Sequence, residues 1–204
     1  MKLTWLGHAC FLLESEKSAL VFDPFAPDYV PGFSLPELKA ELCICSHGHD
    51  DHGYSQAVSL SGKEHDFKIT QIPCFHDEKQ GSLRGENLIT IAEVDGMRFA
   101  HMGDLGHDLS DEQLKALGRL DVLMLPIGGY YTIDSVTASS IAKKLKPNYV
   151  IPMHYRGEGF GYDVLETVDK FLSLMDNVKY SDSNSIIIDK DAEASVVVLP
   201  APVN

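Results

Sequence analysis

The segment Ser46-His47-Gly48-His49-Asp50-Asp51-His52-Gly53 carries three imidazoles and two carboxylates between positions 47 and 52. Imidazole nitrogen and carboxylate oxygen are the usual donors to zinc-class cations. The segment follows the apolar run Leu42-Cys43-Ile44-Cys45, which reads as a buried strand. His47 and His49 therefore lie two apart at a strand end, where both can face one ion. Asp51 and His52, just past the turn, are placed for a second. Gly48 and Gly53 permit the tight backbone this needs. Two divalent ions that share a water turn it into a hydroxide nucleophile at neutral pH and polarise the bond it attacks. The chemistry is hydrolysis without a serine or cysteine nucleophile, and the sequence contains no G-x-S-x-G elbow.

Four donors do not complete two metal shells, so other segments must contribute. Three apolar stretches end in a His or Asp: Ile72–Phe75 before His76, Phe99–Ala100 before His101 and Asp104, and Val150–Met153 before His154. Leu20–Phe22 before Asp23 is a fourth. Strand ends hold ligands on rigid elements. His101 is the rival of His76, but strand alternation puts it on the opposite face from Asp104. His65 lies in a polar stretch and reads as solvent-exposed.

The elements that must carry these residues follow from patterning. Strands are expected at Lys2–Leu6, Cys10–Glu14, Ala19–Phe22, Leu42–Cys45 and Phe67–Phe75. Asn87–Val94 and Met97–His101 flank Asp95-Gly96, a strong hairpin signal. The proline-rich residues 23–32 form a loop. Ser110-Asp111-Glu112-Gln113 is a capping box, followed by Leu114, Leu117 and Leu120 at helical spacing. Val122–Pro126 is a buried strand, Ser135–Leu145 a helix ending before Pro147, and Tyr149–Pro152 a strand. Asp163–Met175 has the pattern of an amphipathic helix. Ser185–Ile188 and Ser195–Leu199 are expected to pair as a final hairpin. The order implies two sheets face to face with helices outside.

With these residues assembled, the chain resembles the metallo-β-lactamase superfamily along nearly its whole length. Trp5-Leu6-Gly7-His8-Ala9-Cys10-Phe11, Gly103-Asp104-Leu105-Gly106, Leu125-Pro126-Ile127-Gly128-Gly129 and Ile151-Pro152-Met153-His154-Tyr155 resemble its branch of small metal-dependent hydrolases, which includes ascorbate-6-phosphate lactonase-like proteins. The resemblance implies an α+β fold, an αββα sandwich, as one domain over residues 1–204. It implies His47, His49 and His76 on a first metal, Asp51, His52 and His154 on a second, and Asp104 bridging both. Asp23 would orient a ligand from behind, and Asp51 and Asp104 would be the catalytic carboxylates. Zinc is the first expectation for the two divalent ions, with manganese or iron as alternatives. His8, Tyr155 and Arg156 are candidates to line the site or touch substrate, as are Arg84, Tyr130 and Tyr131. An arginine there would anchor a phosphate or carboxylate. The implied substrate is a small ester, lactone or phosphoester, and an anionic one is compatible with these arginines, which otherwise read as solvated loop residues.

Composition narrows the alternatives. The chain has 204 residues, 44% hydrophobic and 23% charged, as expected of one globular domain. Seventeen Lys and Arg against 30 Asp and Glu leave a net charge of −13. Such a surface repels phosphate backbones, so nucleic acid is an unfavourable partner and a nuclease reading is secondary. A non-catalytic metal-binding protein is the other alternative. No apolar run reaches the roughly 20 residues of a membrane span. Cys10, Cys43, Cys45 and Cys74 read as free thiols in a cytoplasmic protein. Assembly into a homo-oligomer is compatible with the sequence but not indicated by it.

Overall fold

The computed structural model describes residues 1–202. Fourteen strands and three α-helices occur among them. In chain order the strands are β1 (Lys2–Gly7), β2 (Cys10–Glu14), β3 (Ala19–Phe22), β4 (Leu38–Ala40), β5 (Leu42–Ile44), β6 (Val58–Leu60), β7 (Lys68–Phe75), β8 (Glu86–Val94), β9 (Met97–His101), β10 (Val122–Pro126), β11 (Tyr149–Met153), β12 (Val178–Tyr180), β13 (Ser185–Ile187) and β14 (Ser195–Val198). The helices are α1 (Asp111–Leu117), α2 (Ser135–Leu145) and α3 (Val168–Leu172).

Two sheets carry the fold. One has the order β13-β1-β2-β3-β5 and the other β12-β14-β11-β10-β9-β8-β7, with β4 and β6 forming a short ribbon. One contiguous core joins them, from Trp5, Phe11 and Phe22 in the first sheet to Ile89, Phe99 and Met124 in the second. His101 ties the layers together. Its ring stacks on Phe22 at 5.1 Å, and its Nε2 donates to the Ala9 carbonyl at 2.8 Å. Helix α2 packs on β10 and α3.

Local chemistry explains much of this. At the β8–β9 hairpin Asp95 has φ 51° and Gly96 φ 73°, the left-handed pair that a two-residue turn requires. Helix α1 opens with the complete Ser110–Gln113 capping box, and Gly118 ends it before Leu120.

Three expectations are corrected. The helix foreseen over Asp163–Met175 is only the five residues of α3. The amides before it are spent elsewhere: Glu166 N–H donates to the Gly128 carbonyl, and Thr167 bridges to Arg156. Tertiary partners thus override the helical pattern. The final two strands do not pair with each other. Strand β13 adds to β1, while β14 lies between β11 and β12. Each pairs with an apolar strand of a different sheet, β13 at the edge beside β1 and β14 inside the second sheet beside β11. Finally, β5 is an edge strand, so Cys43 and Cys45 are half-buried; all four thiols are free.

The topology sets up the site. Strands β1, β3 and β5 run in one direction through the first sheet, and β7, β9 and β11 share a direction in the second. His8 follows β1, Asp23 follows β3, and His47 lies three residues past β5. His76 follows β7, Asp104 lies three past β9, and His154 follows β11. Each sheet therefore delivers its donors at the C-terminal ends of parallel-running strands.

Candidate metal centre

Asp104 is the centre of the cluster and is almost fully buried. Its Oδ1 lies 3.1 Å from His52 Nε2 and 3.4 Å from His154 Nε2. Its Oδ2 lies 3.1 Å from His76 Nε2 and 3.9 Å from His47 Nε2. Three sets of donor atoms close enough to hold a cation result: His8, Asp51, His52 and His154; His47, His49 and His76; and His47, His52 and Asp104. The third shares one histidine with each of the others.

Hydrogen bonds behind the site decide which ring nitrogens face inward. Ser46 N–H donates to Asp23 Oδ1 at 2.7 Å, and Ser46 Oγ donates to Asp23 Oδ2 at 2.6 Å. That hydroxyl, its proton committed, accepts from His47 Nδ1 at 2.9 Å. His52 Nδ1 donates to Asp23 Oδ2 at 2.7 Å. His76 Nδ1 donates to the Tyr131 carbonyl at 3.1 Å. Each bond places a proton on Nδ1 and turns the Nε2 lone pair of His47, His52 and His76 into the cluster, the arrangement a metal ligand needs. Correspondingly, the buried Nε2 atoms of His47, His52 and His154 and Oδ1 of Asp104 have no hydrogen-bond partner. Buried polar atoms without partners are costly, and cations held in these donor sets would satisfy them.

Charge follows the same geometry. Burial opposes ionisation of Asp104, but the imidazoles of His154 and His52 outweigh it and hold the carboxyl well below its ordinary range. Burial pulls His52 down, yet the carboxylates of Asp104 and Asp23 keep it well above the ordinary imidazole value. His47, where burial and the neighbouring His52 act together, falls to about 4. A cation held by His52 Nε2 would displace the proton there, so metal uptake would release a proton.

The site is backed by strained and close-packed backbone. His8, Asp23 and His154 all have positive φ, at 51°, 43° and 54°. Such residues persist where their surroundings over-determine them. The His8 carbonyl accepts from Trp5 Nε1 at 2.9 Å and from His154 N–H at 3.2 Å. Asn87 receives the Asp104 N–H on its Oδ1 at 2.9 Å and donates its amide to the Met102 carbonyl. Gly103, at φ 54°, lies against this frame: a Cβ there would meet Asn87 Oδ1 and would come to 2.5 Å from Ser46 Cβ. Gly103→Ala is expected to destabilise the fold by about 2–4 kcal/mol, read as a drop in urea midpoint at unchanged slope.

All seven residues expected as ligands, His47, His49, Asp51, His52, His76, Asp104 and His154, converge, and Asp23 stands behind His52. His8 joins them, fully buried with its Nε2 3.5 Å from Asp51. His101 is committed elsewhere: Nε2 donates to Ala9, and Nδ1 accepts from Gly103 N–H at 3.1 Å. Tyr155 does not line the cleft; it is buried and stacked on Trp5 at 5.5 Å. Arg156 is also absent from the cleft, its Nε bound to the Leu165 carbonyl at 2.7 Å. Tyr130 points to solvent. Residues not foreseen are Ser46, Asn87, Asp77 and the cleft tyrosines Tyr29 and Tyr162. Of these Ser46 has only a hint in the sequence, its place next to His47.

The donors open onto a cleft of about 380 Å³ lined by Tyr29, His49, Asp51, His76, Arg84, Asp104, Tyr131 and Tyr162. Among the described residues no helix is long and apolar enough to cross a membrane.

Known proteins resemble the chain along most of its length. The profile of the β-lactamase superfamily domain matches residues 2–154. A UPF0173 metal-dependent hydrolase of Archaeoglobus fulgidus is 31% identical over 194 residues, covering 76% of this chain and 83% of its own. One from Thermoplasma acidophilum is 33% identical over 188 residues, with 76% and 83% covered. A Thermotoga maritima structure, assigned to Zn-dependent hydrolases of the metallo-β-lactamase superfamily, superposes with a TM-score of 0.77 at 32% identity, covering 97% of this chain and 98% of its own. With a largely buried His/Asp cluster able to bind metal at the ends of two facing sheets, the chain belongs to the UPF0173 metal-dependent hydrolase family of the metallo-β-lactamase superfamily.

Proposed function

We propose that the protein is a dinuclear metal hydrolase acting on a small ester, lactone or phosphoester. His47, His49 and His76 would hold one cation, and Asp51, His52 and His154 the other, with His8 beside the second. Asp104 would bridge them. The observation that carries this reading is the division of the Asp104 carboxylate: Oδ1 faces His52 and His154, while Oδ2 faces His76 and His47. The nitrogen and oxygen donor set suits zinc, with manganese or iron as alternatives. When bound, such a pair lowers the pKa of water and polarises the scissile bond.

The chain's own residues do the rest. Asp23 and Ser46 keep His52 and His47 in one tautomer, and the Tyr131 carbonyl does the same for His76. Asp51 lines the cleft, so its carboxylate is within reach of protons on an incoming substrate or water. Burial works against its charge, but His8 and His52 outweigh it and keep it ionised, as a proton acceptor must be. The tyrosine walls exclude water around the substrate body. A nucleic-acid substrate fits poorly, because a chain of net charge −13 lines this cleft with a single arginine.

Metal content of protein purified without chelator tests the reading. About two equivalents are expected, with His49→Ala losing one and most hydrolysis of lactone and phosphodiester probes. One equivalent or less, insensitive to that substitution and to added metal, would overturn the dinuclear assignment.

A further inference from the structure

Arg84 lines the cleft beside the donor cluster, with its guanidinium carbon 5.7 Å from the centre of the Tyr131 ring. No described carboxylate pairs with it within 4.0 Å, although the protein carries 30 Asp and Glu. Among the described residues no other Lys or Arg lines this cleft. An arginine left unpaired in so acidic a chain, held over an aromatic face, keeps its fork of donors available for a planar anion.

Its position is built rather than incidental. Asp77, next to His76, is buried and accepts four backbone N–H groups. They come from Lys79 at 2.8 Å, Gly81 at 3.0 Å, Leu83 at 3.0 Å and Arg84 at 2.8 Å. One carboxylate thus winds residues 77–84 into a closed loop that ends on Arg84. The other end of that loop is His76, whose Nδ1 is bound to the carbonyl of Tyr131, the residue under the guanidinium. Donor cluster, loop and cation are fixed to one another. Tyr162, edge-on to Tyr131 at 6.0 Å, extends the wall beside them.

We propose that Arg84 is an anion-binding residue, and that the substrate carries a carboxylate or phosphate separate from the bond being broken. This rests on the hydrolase reading for the position of that bond, but the anion site itself does not. The cleft then accommodates a hydrolysable group at the donor cluster, a body against Tyr131 and Tyr162, and an anionic end at Arg84. Arg84 would be a specificity residue, acting on substrate binding rather than on bond cleavage.

The test uses two p-nitrophenyl esters of glutaric acid, one with a free carboxylate and one with its methyl ester. Their scissile bonds are the same. The metal-loaded protein is expected to prefer the charged ester. Arg84→Gln should lower kcat/KM for it about 10–100-fold, chiefly through KM, and for the neutral ester less than about threefold. Arg84→Lys should recover part of the loss, as a cation without the fork. Equal losses on both esters, or no preference in the parent protein, would overturn the proposal. Binding is read separately by NMR of the zinc-loaded protein, following the Arg84 Nε–H and neighbouring amides during titration with monomethyl glutarate and with propyl phosphate. Saturable shifts that weaken about tenfold in Arg84→Gln are expected, and the tighter probe identifies the anion as carboxylate or phosphate. No shift, or equal affinity in the variant, would overturn the anion site whatever the activity. Shifts without hydrolysis of either ester would support the anion site and count against the hydrolase reading.

Discussion

Asp104→Ala is expected to lose both bound cations or retain one weakly, and to lower kcat/KM on the order of 10³-fold. Among the described residues the carboxylate is the only donor that faces both histidine groups, and no neighbouring side chain can replace two oxygens about 3.1 Å from opposite nitrogens. The substitution should not unfold the chain. It removes a buried charge together with the demand that charge makes on His52 and His154. Elemental analysis and a zinc-dependent melting shift check this together. In the parent protein, metal that binds only the folded state raises the melting temperature in proportion to its affinity; in the variant that shift should nearly vanish. Asp104→Asn should behave similarly, because the amide nitrogen offers a hydrogen where one of the cations needs a lone pair. Full metal occupancy and activity in Asp104→Ala would remove the bridging role.

Asp23→Asn tests the layer behind the ligands and is expected to cost about 10–100-fold in metal affinity and activity. Asp23 receives three protons: Ser46 N–H, Ser46 O–H and His52 Nδ1–H. An amide has one acceptor oxygen and must set its NH₂ against a donor. Either His52 changes tautomer and presents Nε2–H to the cation, or the Ser46 hydroxyl turns and releases His47. Both outcomes weaken ligands without touching them. Excess zinc should therefore restore part of the activity, whereas it should not restore Asp104→Ala. Asp23→Ala should in addition leave the buried Ser46 N–H unpaired and destabilise the fold by about 1–3 kcal/mol. Wild-type zinc affinity in Asp23→Asn would show that the chain from His47 through Ser46 to His52 has no part in orienting the ligands.

Much of the centre is legible in the amino-acid order alone. His47, His49, Asp51 and His52 are close neighbours in the chain, so local spacing is enough to bring them together. His76, Asp104, His154 and Asp23 are visible for a different reason. Each follows an apolar run, and strand ends on two facing sheets converge. The β8–β9 hairpin and the start of α1 are equally local, because a two-residue turn and a capping box are set by the residues that make them.

What the chain order leaves open depends on partners far away in sequence. The apolar pattern of residues 163–175 suits a helix, but the Gly128 carbonyl takes the Glu166 N–H, and Arg156 N–H takes the Glu166 carbonyl. Strands β13 and β14 are neighbours in sequence, yet each pairs in a different sheet, β13 with β1 and β14 with β11 and β12. Ser46 reads as an ordinary loop serine until Asp23 and His47 close around it. Arg84 and Arg156 look alike as loop arginines after candidate ligands. Only the tertiary structure separates them, since the Leu165 carbonyl occupies one guanidinium while the Asp77 cage leaves the other facing the cleft. Donor type and spacing are local properties that the amino-acid order determines by itself. Tautomer, pairing and the freedom of a charge are set by which distant group is packed against each hydrogen-bonding atom, and that only the fold decides.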